Sequence, residues 1–381
     1  MSYYITVPQS PIYPQITLDD LLSGMTQLTP VRENLGNTRT YRTDDISVCR
    51  RLFNETRLID VIQTLWSFNA RHAALFDVPR QTLYRKFYIP KRSGGLREIN
   101  APEPPLMTAL VELRGILETK CCASHHTAAF AYVKNRSTVD SVRRHQQNNS
   151  RWFLKVDFHD FFGSTTKEFT LRTLAQISPF NLILSHPSGM EALSKALDLC
   201  FLAGGLPQGT PISPMLTNLL MIPIDHELTN KLHRFEGQQF IYTRYADDML
   251  ISSFTDFDPV KAKTLIRTVL RSFDAPYTFK EEKTHYGSRA GSNWILGVML
   301  NKDNNITVGH RNKKHFRAMV HSYIMDKKNG KAWELHDLQT FAGIYSYYRM
   351  VERDYIDKLI ESINERNQVN FEALLRADLA A

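Results

Sequence analysis

With 381 residues, 43% of them apolar, the chain is too long for one ordinary domain and has enough core-forming side chains for two or three subdomains around a shared cleft. No apolar run approaches the roughly 20 residues of a membrane helix, and the opening Met-Ser-Tyr-Tyr-Ile-Thr lacks a basic segment followed by an apolar one. A membrane span and a secretion signal are therefore excluded as expectations, leaving a cytoplasmic protein. The formal net charge is +8, and the stretches 80–97 and 302–331 carry more than all of it, so the remainder is net acidic. Two cationic patches flanking one region suit a polyanion held across it.

In chain order, residues 1–80 give structure without chemistry. Thr17-Leu18-Asp19-Asp20 reads as a helix start, and 57–68 has helical spacing with Leu58, Val61, Ile62, Leu65 and Trp66 on one side. A hairpin is expected over 87–102, where Lys91-Arg92-Ser93-Gly94-Gly95 separates Tyr88-Ile89-Pro90 from Leu96-Arg97-Glu98-Ile99. A helix over 106–117 follows. The run Trp152-Phe153-Leu154-Lys155-Val156 reads as a strand that delivers Asp157 at its end, followed by Phe158-His159-Asp160-Phe161-Phe162. Next come the loop Leu206-Pro207-Gln208-Gly209-Thr210-Pro211-Ile212-Ser213-Pro214 and a helical stretch with Met215, Leu216, Leu219, Leu220 and Ile224 as its buried stripe.

Strands over 239–244 and 249–254 then place Tyr245-Ala246-Asp247-Asp248 at the tip of a hairpin. Asp-Asp alone proves little, since Asp19-Asp20 and Asp44-Asp45 are explained by helix-start and turn chemistry. Residues 293–300 read as a last strand of the same sheet. From His310 onward Phe316, Met319, Val320, Tyr323 and Ile324 fall at i, i+3, i+4, i+7 spacing, and 335–351 and 355–363 repeat that pattern, so a small helical bundle is expected. Cys49, Cys121, Cys122 and Cys200 lack zinc-like spacing and are expected as thiols.

An acid, a Gln-Gly loop and an acid pair, in that order, resemble the ordered blocks of a reverse transcriptase palm. Over 89–348 the chain is similar to bacterial retron-type reverse transcriptases, relatives of the group II intron enzymes, with a related defence-associated group as a further possibility. The resemblance implies an α+β right-hand polymerase. Its divisions would be an N-terminal extension (1–80), fingers (81–150), a palm of antiparallel sheet plus helices (151–300, with fingers elements inserted) and a helical thumb (301–381). About 80 residues follow the palm, which leaves no room for an RNase H or endonuclease domain.

The resemblance implies RNA-directed DNA synthesis from dNTPs with two Mg2+ ions, Mn2+ being a substitute. In-line phosphoryl transfer calls for hard oxygen ligands, so Asp157 and Asp247 are the metal candidates, with Asp248 a looser one because successive strand side chains face opposite ways. The block 89–97 matches the fingers motif, so Lys91 and Arg97 would clamp the triphosphate, and Arg92 can substitute for Lys91. Gln208 and Gly209 match the nucleotide-pocket loop, and Phe158 belongs to the same substrate-binding set. Phe162 holds the position of the bulky residue beneath the sugar C2′, which implies a dNTP. Lys283 matches the lysine proposed to protonate pyrophosphate, with Lys280 close by. Lys314, Arg317, His321 and Lys328 are left on the polar face of the first bundle helix as nucleic-acid contacts.

Two retron signatures are altered. Asn-Ala-x-x-His is replaced by Ser141-Val142-Arg143-Arg144-His145, and Val-Thr-Gly by Ile295-Leu296-Gly297. The partners implied are an RNA template, especially a dedicated noncoding RNA, the DNA product, and an effector protein of an antiviral defence system, with no membrane. The alternatives are a template-independent or protein-primed DNA polymerase on the same palm, and an RNA-binding, maturase-like scaffold. Intact Asp157, Asp247 and Phe162 argue against the scaffold.

Overall fold

The computed structural model describes residues 3–7, 39–43, 55–90, 94–121, 125–289 and 297–380. The helix start expected at Thr17, the cations Lys91 and Arg92, Cys49, Cys122 and residues 293–296 lie outside the described residues. The chain forms two compact units. One draws on Met1–Arg136, Val156–Met249 and Asp258–Thr284, the other on Ser137–Lys155, Leu250–Phe257 and His285–Ala381.

The first unit begins with β1 (Tyr3–Val7) paired antiparallel with β2 (Arg39–Thr43). There follow α1 (Glu55–Arg71), the hairpin of β3 (Tyr84–Pro90) and β4 (Leu96–Pro102), and α2 (Pro104–Thr119). In the second unit α3 (Thr138–Gln147) starts at a capping box, in which the Asp140 backbone N–H donates to Ser137 Oγ and the Ser137 N–H donates to the Asp140 carboxylate. The strand β5 (Trp152–His159) runs from the second unit into the first. It is followed by α4 (Lys167–Leu174), α5 (Phe180–Ser185), α6 (Pro187–Asp198), α7 (Ser213–Leu220), α8 (Ile222–His233) and β6 (Phe240–Tyr245).

Residues 215–224 form two helices rather than one continuous stripe. Pro223 has no N–H to continue a helical ladder, and it sits in the first turn of α8, where none is needed. Leu216, Leu219, Leu220 and Ile224 are buried as expected, while Met215 is half-buried. The side of α1 read from the sequence is also the buried one. Trp66 Nε1 donates to Ser188 Oγ at 2.8 Å and Asn69 Nδ2 to the Ala192 carbonyl at 2.9 Å, tying α1 to α6.

After β7 (Asp248–Ser253) come α9 (Pro259–Ser272), β8 (Thr278–Phe279) and β9 (His285–Ser288). The sheet has the order β6-β7-β5-β8, with β9 also pairing antiparallel to β5. Both alternating sets of β5 side chains are largely buried, which is why β5 reads as a near-continuous apolar run.

Of the last strand expected over 293–300, residues 293–296 lie outside the described residues; among the described ones Met299–Leu300 is extended (β10) and pairs with β11 (Ile306–Thr307) in a two-stranded ribbon. That ribbon is fastened to α3, because Gln146 Nε2 donates to the Asn304 carbonyl and Asn304 Nδ2 to the Gln146 carbonyl, each at 2.8 Å. An apolar run specifies burial but not the partner that provides it.

The second unit ends in α10 (His310–Lys328), α11 (Leu335–Val351), α12 (Arg353–Asn367) and α13 (Phe371–Ala380). Phe316, Val320, Tyr323 and Ile324 of α10 pack with Leu338, Phe341, Tyr345, Ile356 and Phe371 into one core, as the periodicity predicts. Full burial of such a side chain contributes about 1.5–3 kcal/mol.

Candidate active site

The two-residue connection of β6 to β7 is Ala246-Asp247, with Ala246 at φ 57°, so the chain reverses tightly and Asp247 stands at the tip. The Phe158 N–H donates to the Asp247 carbonyl at 3.1 Å, which fixes that tip beside the end of β5. On the other flank of β5 the Lys280 N–H donates to the Asp157 carbonyl at 2.8 Å. Asp157 is 5% exposed and meets two ammonium groups: Lys280 Nζ is 3.1 Å from Oδ1 and Lys283 Nζ is 3.5 Å from Oδ2. Burial, and then the charge of Asp157, push the Asp247 carboxyl above its ordinary value, while its own backbone, Lys280 and Lys283 oppose the shift. The two acids therefore share one electrostatic site. Asp248 is the first residue of β7 and is half-buried.

Among the described residues no three acidic, histidine or cysteine side chains converge into a ready-made cation cage. The donor set nevertheless fits a hard divalent cation. Asp157 Oδ1 is buried and its contact with Lys280 is not aligned as a hydrogen bond, so an oxygen lone pair is held in the interior beside a second carboxylate. The lysines balance that charge when no cation is present.

What holds the tip in place is a buried ion pair. The side chains of Arg244 and Asp225 are both 0% exposed; Arg244 Nη2 donates to Asp225 Oδ2 at 2.8 Å and Nε to Oδ1 at 3.0 Å. Tyr242 Oη also donates to Asp225, at 2.7 Å. The remaining guanidinium nitrogen reaches the Asn218 Oδ1 and the Ala246 carbonyl, each at 3.1 Å, so the network ends on the turn that carries Asp247. Burial opposes the Arg244 charge, but Asp225 outweighs it and the guanidinium is held above its ordinary value. Sequence reasoning passed over this pair. The available signal was a cation inside an apolar strand, which must find a partner when buried.

The described residues expected to meet the nucleotide lie in the same unit. Gly94 and Gly95, at φ 87° and 77°, turn the β3–β4 hairpin, and exposed Arg97 pairs across it with Ile89. The Asn100 N–H donates to the Gln208 carbonyl at 2.9 Å, docking the 206–214 loop on β4. Gly209 sits at φ 111°, and a Cβ there would meet Ile99 Cγ2 at 2.8 Å and the Asn100 carbonyl at 3.1 Å, so only glycine suits both the conformation and the approach. The Leu206 N–H donates to the Phe162 carbonyl at 3.1 Å, bringing half-buried Phe162 alongside this loop.

Phe158 is corrected. Its ring is 0% exposed and packs among Phe161, Tyr277 and Phe279, at centroid distances of 5.5, 5.2 and 6.1 Å, so it belongs to the core rather than to a substrate surface. The alternation of strand side chains accounts for this, since the residue after Asp157 faces away from it.

Residues 89–308, more than half of the chain, match the family described as Reverse transcriptase (RNA-dependent DNA polymerase). The chain belongs to the reverse transcriptase family. The Retron Ec83 reverse transcriptase of Escherichia coli is 27% identical over 313 residues, covering 81% of this chain and 95% of the relative. The Retron Ec73 reverse transcriptase of the same organism is 25% identical, covering 72% and 85%. The Retron Mx162 reverse transcriptase of Myxococcus xanthus is 28% identical, covering 72% of this chain and 59% of that protein. Among solved structures, the apo telomerase from Candida Tropicalis has a TM-score of 0.44 and 12% identity, covering 78% of this chain and 62% of that one. As the family requires, this is an RNA-directed DNA polymerase, and its mixed helix and antiparallel-sheet architecture is consistent with a right-hand polymerase fold.

In this reverse transcriptase the cationic stretch of the helical bundle splits in two. Lys313 pairs with Glu352 and Lys327 with Asp378, each at 2.6 Å. Lys314, Arg317, His321 and Lys328 lie along one exposed face of α10, and among the described residues Lys314, Arg317 and His321 make no ion pair. His145, the remnant of the first altered signature, is buried and bonded through Nδ1 to Ser252 Oγ at 2.6 Å; desolvation, helped by Arg144, depresses its pKa to about 3, so it is a neutral core group. Cys121 and Cys200 are buried. Among the described residues no helix is long and apolar enough to cross a membrane.

Proposed function

We propose that this reverse transcriptase copies a dedicated structured noncoding RNA into DNA at the site built on Asp157 and Asp247, as part of an antiviral defence system with an effector protein. The observation that carries the site is the hydrogen bond from the Phe158 N–H to the Asp247 carbonyl, which sets half-buried Asp247 at the hairpin tip beside the end of β5, where Asp157 is buried. The dedicated RNA and the defence role are suggested by likeness to retron enzymes. Sequencing the nucleic acid that copurifies with the protein tests this part. One recurrent RNA joined to its DNA copy supports it, and a random mixture contradicts it.

Bound divalent cations, two Mg2+ or Mn2+ in their place, supply Lewis-acid stabilisation of the attacking and leaving oxygens. Asp157 and Asp247 are the ligands, with Asp248 a looser third. Arg97, together with Lys91 and Arg92, grips the triphosphate, whose bidentate geometry suits a guanidinium. Lys283, 49% exposed, is free enough to follow the leaving pyrophosphate and protonate it, whereas Lys280, 23% exposed, stays with Asp157. Gln208 and Gly209 border the sugar, and Phe162 closes the space a 2′-hydroxyl would need. The fingers, palm and thumb divisions expected from the sequence are retained as part of this reading.

Phe162→Ala is expected to raise the rNTP-to-dNTP incorporation ratio by about 10-fold or more, because it removes a steric barrier without touching the carboxylates. Single-nucleotide competition measures it. An unchanged ratio returns Phe162 to the ordinary core.

We also assign the exposed face of α10 to the nucleic-acid backbone. Replacing Lys314 and Arg317 by Ala is expected to weaken RNA binding across sequences and to reduce the salt slope by about one unit per lost phosphate contact. A titration of affinity against salt reads this, and an identical slope would make the face merely solvated.

A further inference from the structure

Tyr132 is a bulky residue at φ 60°, a conformation that costs an L side chain energy, and it is nevertheless 59% exposed. Its ring is not paid for by burial, so the strain has to be imposed by what surrounds it. The segment around it is bound on several sides. Asn218 Nδ2 donates to the Ala131 carbonyl at 2.8 Å, and Arg136 Nη1 donates to the carbonyls of His126 and Ala129 at 3.0 and 2.8 Å. The Phe130 N–H donates to the Arg244 carbonyl at 2.9 Å and the Arg244 N–H to the Ala128 carbonyl at 2.7 Å. The loop is thus joined to β6 immediately before Tyr245-Ala246-Asp247, and Asn218 belongs to the buried network that holds that tip.

The same architecture therefore fixes the catalytic turn and presents an aromatic side chain next to it. In the proposed site the cations, the triphosphate and the sugar all have assigned protein groups, but the base has none. An exposed aromatic face on the loop tied to β6 just ahead of Asp247 meets that need, because every base has a π-face.

We propose that Tyr132 is a nucleotide-binding residue whose ring packs against the nucleobase of the nascent pair. This rests on the proposed function of the Asp157 and Asp247 site. The test compares Tyr132→Gly, Tyr132→Ala and Tyr132→Phe with wild type in single-nucleotide incorporation on an RNA template, alongside thermal melting. Gly and Ala are expected to raise the dNTP KM by about tenfold with a much smaller change in kcat, and Phe to stay near wild type. Gly, which accepts positive φ freely, is expected to melt at or above the wild-type temperature while still losing affinity, a combination that a purely structural tyrosine would not give.

A KM in the Gly and Ala variants within about twofold of wild type overturns the proposal, since loss of a stacked base contact is larger. A Phe variant as impaired as Ala also overturns it, because the hydroxyl rather than the ring would then be the contact. Asp247→Asn is run in parallel. Retained incorporation there would overturn the carboxylate reading, whereas a KM shift confined to the Tyr132 variants would still support the base contact.

Discussion

Asp247→Asn and Asp157→Asn are each expected to lower dNTP incorporation by about 100-fold or more, because in the proposed site each removes a formal charge from the oxygen set that would hold the divalent cation. The two differ in their effect on the fold. Asp247 has its carboxyl pKa raised in the folded protein by burial and by Asp157. A carboxyl with a raised folded pKa is held more weakly in its ionised form than in the unfolded chain, so its ionisation opposes folding as pH rises through the shifted range. Asn at 247 removes that opposition, and the metal-free variant is expected to melt at or above the wild-type temperature at neutral pH. Asn at 157 leaves Lys280 and Lys283 without their carboxylate and is not expected to stabilise. Primer extension with Mg2+ and melting curves check both halves, and either variant retaining a substantial fraction of wild-type rate contradicts the ligand assignment.

Arg244→Met is expected to destabilise the protein by about 3–5 kcal/mol, because it leaves the Asp225 side chain in the interior with Tyr242 and no cation. Coulomb attraction alone does not justify that figure, since desolvating both ions offsets much of it. The cost comes from orphaning one partner. Replacing both, as Asp225→Leu with Arg244→Met, is therefore expected to be less destabilising than the single change, and denaturant midpoints of wild type, both singles and the double read the difference. The arginine also bonds the Ala246 carbonyl. The double variant is accordingly expected to recover stability without recovering full kcat, since the turn bearing Asp247 has lost its anchor.

The β6–β7 hairpin was legible because two apolar runs flank a polar tip, and the tip carries the acids. The face of α10 was legible for a similar reason. Its apolar stripe at 316, 320, 323 and 324 fixes the direction of Lys314, Arg317 and His321. Phe158 was misread although the same alternation that separates Asp247 from Asp248 would have turned its ring away from Asp157. Other features could not be read along the chain. The Arg244–Asp225 pair joins residues on different elements, and the positive φ of Tyr132 is imposed by hydrogen bonds from Asn218 and β6. The partner of Leu300 was not readable either, since its apolarity does not specify the ribbon strand with which it pairs.

The most direct test of the central claim supplies the purified protein with Mg2+, four dNTPs and a DNA primer annealed to an RNA of known sequence, and sequences the extended product. The account predicts DNA complementary to the RNA, ending at the template's 5′ end and absent when the template is omitted. Extension whose sequence is independent of the template, or no extension by wild-type protein that binds the primer–template, would contradict it.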